Sequence, residues 1–524
     1  MPTRCFARGA VASPHHLASA AGQRVLADGG NAVDAAVATG LVLAVVTPYH
    51  CGLGGDLVAQ VFDGRPTGVL STGAAPTGAS AEAIRAVLAH GDDEPVASLP
   101  GTGGMPIRGA LSVTVPGAVA GWFHLLERWG TRSFGALVEP AVRLAREGVP
   151  VSDHGTALAR GGLAAHGDGT PLVALYGAMR SPGRFRQPEL AATLGGLAEQ
   201  GPDGFYRGVV AERIVAALVE GGSTMTTGDL AAHTVAEVEP LRGAFRGLEV
   251  LELPPPTQGV TALTALGVLE RLGSRPEDPA AAAHLEVEAI RAAMADRTEH
   301  LGDPATMEVE VTSLLADQRL RAIAAGIDPD RAARWPPGRP APGGTAYLCA
   351  ADDDGLLVSL SQSNFRGFGS GVVVADAGFA LHNRGAHFTL DEGPGMVGPG
   401  RRPMHTLVPA MALADGAPRL AFGTMGGDAQ PQIHLQLLGR LLDDGDVQAA
   451  LSAPRFVVEV EDGTVAIEGR APRAVVDGLR GRGHHVRRLA ELDHAAGHAH
   501  ALLVGPDGLA GGSDPRTEGG VIGW

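Results

Sequence analysis

Pro340-Ala341-Pro342-Gly343-Gly344-Thr345-Ala346-Tyr347-Leu348-Cys349-Ala350 divides the chain into two kinds of sequence. Upstream, from Arg334 to Gly344, proline and glycine dominate. Such a segment cannot continue a helix or enter a sheet interior, so it reads as an exposed connector or the approach to a processing site. Downstream the hydrophobic period drops to two. Thr345–Ala350 and Leu356–Ser361 read as strands joined by the acidic turn Asp352-Asp353-Asp354-Gly355, so a hairpin begins at Thr345. Further strands are expected at Gly371–Val374, Leu407–Leu413, Thr464–Glu468 and His500–Val504, with helices at Pro431–Leu442 and Arg473–Arg480.

Working back toward the N-terminus, the period is mostly helical. Ser13-Pro14 offers a cap for a helix that Gly29-Gly30 stops, and Asn31 caps a second, far more apolar helix from Ala32 to about Val46. That run is shorter than a membrane span and follows Asp34, so it is expected as a buried helix. Between Arg85 and Leu320, helical stretches such as Ala211–Glu220 and Glu286–Leu301 alternate with Gly- and Pro-rich turns. Leu251-Glu252-Leu253 forms a strand that ends on Pro254-Pro255-Pro256. Helix-rich first and sheet-rich second, with no hinge-like linker, implies one α+β layered body.

Composition narrows the function. The 524 residues carry a net charge of −16 and no basic stripe, which disfavours nucleic acid or an anionic membrane as partner. Met1–His16 has no apolar run of the signal-peptide kind. Cys5, Cys51 and Cys349 are odd in number and far apart, which fits a reducing, cytoplasmic compartment better than a disulfide framework.

Several stretches carry a more specific signal: Gly29-Gly30-Asn31-Ala32-Val33-Asp34-Ala35-Ala36, Gly52-Leu53-Gly54-Gly55-Asp56, Val115-Pro116-Gly117-Ala118-Val119-Ala120-Gly121, Pro254-Pro255-Pro256-Thr257-Gln258-Gly259, Ser363-Asn364 with Gly367-Phe368-Gly369-Ser370-Gly371, Gly398-Pro399-Gly400-Arg401-Arg402-Pro403, Gly426-Gly427 and Asp514-Pro515-Arg516. In this order they resemble the γ-glutamyltranspeptidase family across nearly the whole chain. The resemblance implies the four-layer αββα sandwich of the N-terminal-nucleophile hydrolases. It also implies a proenzyme that splits between Gly344 and Thr345 into a large subunit, 1–344, and a small one, 345–524.

A threonine hydroxyl is a poor nucleophile without an adjacent base, and the α-amine released by that cleavage is one, with a reference pKa of roughly 7.7–8.0. Gly343 and Gly344 suit a backbone that must bend for the hydroxyl to reach the preceding carbonyl. Without the resemblance, Thr345 reads as a β-branched residue opening a strand. With it, Thr345 stands at the family's nucleophile. Gly426 and Gly427 stand at its oxyanion-binding glycine pair. Ser363 or Asn364 stands where a polar group orients the nucleophile. Asn383, His387, His405 and Thr406 fall at its substrate-binding positions. No cofactor is implied.

The glutamyl clamp is altered. Leu70-Ser71-Thr72-Gly73-Ala74-Ala75-Pro76 lacks the arginine that such enzymes place before an Ala-Pro pair, and His387 stands at or near their acidic position. One reading retains γ-glutamyl hydrolysis or transfer, with Arg108, Arg366, Arg384, Arg401 or Arg402 supplying the charge. In another the acyl donor has changed, as in glutaryl-type acylases or the alkylproline-pathway homologues that hydrolyse a carbon–carbon bond in antibiotic biosynthesis. A third makes the chain a non-catalytic scaffold, which the retained Gly-Gly-Thr opposes. The expected partners are a small-molecule acyl donor and water or an amine as acceptor. The histidine-rich region His484, His485, Asp493, His494, His498 and His500 reads as a solvated surface and not as a zinc site, and Cys349 as core.

Overall fold

In the computed structural model, which describes residues 2–89, 97–335, 338, 340 and 343–524, the strand Gly344–Ala351 pairs antiparallel with Leu357–Phe365, as the hairpin reading requires. Five residues of the expected connector, Pro336, Pro337, Arg339, Ala341 and Pro342, lie outside the described residues, as do Met1 and residues 90–96.

Both faces of the first hairpin strand are buried, and they face different layers. Ala346, Leu348 and Ala350 pack with helices, whereas Tyr347, Cys349 and Ala351 pack against a second sheet. Period-two alternation with two apolar faces is what a strand in the middle of a layered body requires. Its sheet runs Gly520–Gly523, Ala10–Ser13, Gly344–Ala351, Leu357–Phe365, Asp56–Phe62, Pro66–Ser71, Ala236–Val238. The second runs Arg4–Phe6, Gly508–Ser513, Ala499–Gly505, Ala417–Thr424, Ala410–Ala414, Leu248–Glu252, Leu241–Phe245. There the alternation repeats: Met411, Leu413, Ala421 and Leu502 face the first sheet, while Ala410, Ala412, Leu420, Phe422 and Ala501 face an outer helical layer. Gln60 ties the sheets by donating to Leu251 O (3.0 Å) and Pro409 O (2.7 Å). The result is helix, sheet, sheet, helix, the αββα order that the resemblance implies. Both sheets combine strands from before and after Gly344.

The helix Ala32–Val46 is buried along its whole length, and Asn31 caps it with a reciprocal box to Asp34. It is a core helix, and among the described residues no helix is long and apolar enough to cross a membrane. The preceding helix, His16–Ala27, is capped by His15, whose Nδ1 accepts from Leu17 N (3.2 Å), and not by Ser13, which ends a strand. Cys349 is core, as expected.

The Asp514-Pro515-Arg516 stretch closes the C-terminal strands through a buried ionic network. Arg516 pairs with Glu468 and with Asp514 (3.1 Å), and Arg455 pairs with the other Asp514 oxygen (2.7 Å). Two carboxylates thus balance two guanidiniums away from water. Burial alone would raise the Asp514 pKa, but Arg455 and Arg516 outweigh it and hold the carboxyl below its ordinary value. Its contribution is therefore complete above the unfolded value near ~3.9 and is lost as pH falls through the lower folded value. Asp514→Ala, which leaves Arg455 without a carboxylate and Arg516 with Glu468 alone, is expected to cost about 3–5 kcal/mol. Unchanged chemical denaturation of the variant at neutral pH would contradict this account.

Candidate active site

The hairpin pairing slips at its open end. Gly344 opposes Phe365 and Ala346 opposes Gln362, so Ser363 and Asn364 together face Thr345 alone. Such a bulge re-aims side chains. Here it brings Ser363 Oγ between the hydroxyl and the carbonyl on either side of the Gly344–Thr345 bond. Ser363 Oγ accepts from Thr345 Oγ1 (3.4 Å) and from Phe365 N (2.8 Å), and donates to Gly344 O (2.6 Å). Phe365, just past the bulge, adopts φ 72°, a left-handed conformation that costs a non-glycine residue roughly 1–3 kcal/mol. Thr345 itself is buried.

Of the two residues that the sequence offers beside Thr345, Ser363 makes the contact. Asn364 turns away and donates to Pro48 O (3.1 Å). The loop Gly52–Asp56 packs on its far side, which explains that loop's composition: a Cβ on Gly55 would lie 2.6 Å from Ser363 O and 2.8 Å from Asn364 Oδ1, and one on Gly54 2.3 Å from Ala380 O. At the end of this loop, buried Asp56 accepts from His405 Nε2 (3.0 Å) and from the backbone N–H groups of Gly73 and Gly117 (3.2 Å each). His405 Nδ1 accepts from Leu407 N, and burial pushes the ring down to about 4, so it is a neutral strut under the site.

Gly344 opens onto a cleft of about 540 Å³, whose wall includes His50, Arg366, Gly426, Asp428 and His494. Gly426 and Gly427 have φ of 135° and 57° and lead into the helix Ala429–Asp444, whose first turn closes on their carbonyls. Backbone N–H groups at such an N-terminus favour negative charge. Asp428 is held by Arg297, which also donates to Gln258 Oε1 (2.9 Å). Gln258 Nε2 in turn donates to Gly427 O (2.9 Å) and Thr406 O (3.0 Å). The Pro254–Gly259 stretch thereby fixes the glycine pair.

Asn383 serves the backbone, accepting from Arg366 N (3.1 Å) and donating to Ile107 O (2.8 Å). His387 meets the Phe365 ring edge-on, centroids 6.5 Å apart. Thr406 Oγ1 accepts from Arg384 Nη2 (3.0 Å). Arg384 is one of the five candidate cations of the sequence; its side chain differs from those of Arg401 and Arg402, which bond backbone carbonyls, while Arg366 lines the cleft at Gly344. The Arg384 guanidinium is buried and stacked 3.8 Å from the Phe365 centroid; its Nε and Nη1 make no hydrogen bond, and no carboxylate pairs with it among the described residues. Burial pushes its pKa down to about 9 against the pull of Asp56 and Asp428, which leaves it cationic at neutral pH. Arg402, by contrast, donates to Thr72 O (3.1 Å), and Arg401 to Met396 O (3.1 Å).

The histidine-rich region is only partly a solvated surface. His498 and His500 are buried, and His500 bonds Ser513 Oγ (3.2 Å). His494 and His498 face His50, a residue far away in sequence that no local pattern connects to them.

The family model described as Gamma-glutamyltranspeptidase matches residues 18–524. An oxamate amidohydrolase proenzyme of Klebsiella pneumoniae is 36% identical over 98% of both chains. A glutathione hydrolase proenzyme of Escherichia coli is 31% identical over 97% of this chain and 90% of that one. Among solved structures, cephalosporin acylase from Bacillus halodurans superposes with a TM-score of 0.91 at 34% identity, covering 100% of this chain and 97% of that one.

The packing of the glycine loop on the bulge is testable by itself. Gly55→Ala forces a Cβ against the Ser363 carbonyl, so it is expected to destabilise the protein by about 1–3 kcal/mol. A thermal unfolding midpoint equal to that of the parent would show that the loop does not constrain the bulge.

Proposed function

The chain belongs to the gamma-glutamyltranspeptidase family, and we propose that it is a self-cleaving threonine hydrolase or acyltransferase whose acyl donor carries a carboxylate read by Arg384. The observation that carries this reading is the cluster of Thr345 Oγ1, Ser363 Oγ and Gly344 O on one bulge, beside a buried guanidinium with two unused donors.

Self-cleavage begins with Thr345 Oγ1 attacking the Gly344 carbonyl carbon. Ser363 Oγ takes the hydroxyl proton as it gives its own to Gly344 O, which neutralises the charge that develops on that oxygen, and this proton is released again when the C–N bond breaks. The C–N bond then breaks, the Thr345 nitrogen takes up a proton, and water hydrolyses the resulting ester. Fragments 1–344 and 345–524 remain, the second beginning with a free amine. In turnover that amine is the base for its own hydroxyl, which attacks the donor's carbonyl to give an acyl-enzyme. The oxyanion lies toward the backbone of Gly426 and Gly427, at the N-terminus of their helix, and water or an amine then takes the acyl group.

The donor's class follows from charge. The family's usual arginine is missing from the Thr72–Pro76 stretch, whereas Arg384 lies in the Asn383–His387 segment where an acidic residue would be expected. A buried cation with unused N–H groups favours a planar anion that accepts two hydrogen bonds. Oxamate and glutathione, named for two of the relatives, both carry carboxylates, which supports the reading. His387 and Thr406 then act through Phe365 and Arg384, Asn383 holds the Arg366 backbone, and His405 supports the floor through Asp56.

Intact mass spectrometry of the purified chain is expected to give two fragments split at Gly344–Thr345, with Thr345→Ala remaining whole. Ser363→Ala should slow scission by about 10²–10³, the usual loss for one oxyanion donor. A wild-type chain that stays whole after long incubation sinks the threonine reading.

On the processed enzyme, Arg384→Gln should lower kcat/KM about 10- to 150-fold for carboxylate-bearing acyl anilides, the equivalent of losing roughly 1.5–3 kcal/mol of charge-assisted bonding. It should leave their neutral methyl esters little changed. Equal turnover of acid and ester by wild type would remove Arg384 from substrate recognition.

A further inference from the structure

Three histidines converge where the cleft meets Gly344, and the chemistry above uses none of them. His50 follows the buried helix Ala32–Val46. Its ring is buried, Nδ1 has no hydrogen-bond partner among the described residues, and that atom lies 2.9 Å from where a Cβ on Gly344 would stand. From the other side of the cleavage point, His494 and His498 bracket a short turn before the strand Ala499–Gly505. His494 Nδ1 and His498 Nε2 are 3.0 Å apart, and one nitrogen from each of the three residues lies within 4.8 Å of the others. The wall of the same cleft also carries Glu461, Arg366 and Glu459, the last paired with Arg487.

From this arrangement we infer that His50, His494 and His498 form a binding site for a divalent transition metal of the zinc class. Three imidazoles around a tetrahedral ion at about 2.0–2.1 Å require nitrogens roughly 3.3 Å apart, with the fourth position open to solvent. The His494–His498 pair already has close to that separation, and His50, with a nitrogen within 4.8 Å of theirs, has up to roughly 1.5 Å to close. The set is borderline-soft and purely nitrogenous, which selects zinc, nickel, cobalt or copper over magnesium or calcium. The ligands come from both sides of Gly344, so a bound ion would join the two halves of the chain across the cleft.

A second grouping, His284 with Glu288 and His484, is a weaker candidate. Its members are already committed: Glu288 accepts from Arg291 (2.9 Å) and from Ala333 N (3.2 Å), and His284 Nε2 bonds Asp328 O (2.7 Å).

The test needs neither substrate nor self-cleavage, so its outcome is independent of the proposed activity. In a His484→Ala background, chelator-stripped full-length protein is titrated with Zn²⁺ by calorimetry. It is then loaded with Co²⁺, whose visible ligand-field bands report tetrahedral coordination. One ion per chain is expected, with affinity falling at least about tenfold in His494→Ala, the loss typical even of outer-shell partners. His498→Gln, with a polar side chain in place of the buried ring, serves as the second variant and should behave alike. Failure of the chelator-stripped protein to bind Zn²⁺ with one-to-one stoichiometry, or unchanged affinity in both variants, overturns the assignment.

Discussion

The slip in pairing between Gly344–Ala351 and Leu357–Phe365 is the constraint on which the rest of the site depends. A regular antiparallel register would place one residue opposite Thr345 and send its neighbours to alternate faces. Two residues against one leaves Ser363 Oγ free to contact both sides of the Gly344–Thr345 bond while Asn364 faces the Pro48 carbonyl. The pairing cannot relax easily, because both faces of the first strand are buried and a one-residue shift would turn Tyr347 and Cys349 into the helical layer. The strain at Phe365 is thus held in place by two cores at once.

Beneath the bulge, Asp56 converts a flexible glycine loop into a fixed floor. It collects N–H groups from Gly73 and Gly117 and the Nε2–H of His405, so three separate stretches of chain share one carboxylate. The glycines before it are required by close approach: their missing side chains make room for Ser363, Asn364 and Ala380. The motif is therefore read best as a packing device that holds the bulge from below, with its acidic residue serving the scaffold.

Much of this was legible in the sequence because it is local. The change of period at Thr345, the Asn31 cap and the apolar helix behind it each follow from neighbouring residues, and the structure has all three. The strand Asp56–Phe62 escaped because a strand buried on both sides shows a mostly apolar run without alternation, which helix shares, and Pro66–Ser71 because it opens on Pro-Thr-Gly with only two large apolar residues. Ser13 looked like a cap because Ser-Pro is a common helix start, yet its strand pairing prevailed and His15 took the role. The contacts of His405 with Asp56, and of His494 and His498 with His50, join residues hundreds of positions apart and leave no periodic trace. One signal for Arg384 did exist: a charged residue inside Asn383-Arg384-Gly385-Ala386-His387-Phe388, a stretch otherwise poor in charge.

The buried arginines of this protein fall into two classes, and the difference bears on what each is for. Arg455 and Arg516 have carboxylate partners at hydrogen-bond distance, so their desolvation is offset within the fold. Arg384 has a threonine hydroxyl and an aromatic face, with Asp56 and Asp428 acting on it only from a distance. A stacked ring and one neutral acceptor recover a fraction of what hydration gave, so the folded chain carries an uncompensated cost at this position. A carboxylate arriving from solvent would recover much of it, and it would do so against Phe365, whose backbone nitrogen also holds Ser363 Oγ. Under the proposed function, recognition of the anion and alignment of the Thr345 hydroxyl would then be coupled through a single residue. A donor that lacks the anion would leave the guanidinium unmatched, so selectivity at this site would come from relieving an existing deficit and not from adding contacts to an already satisfied surface.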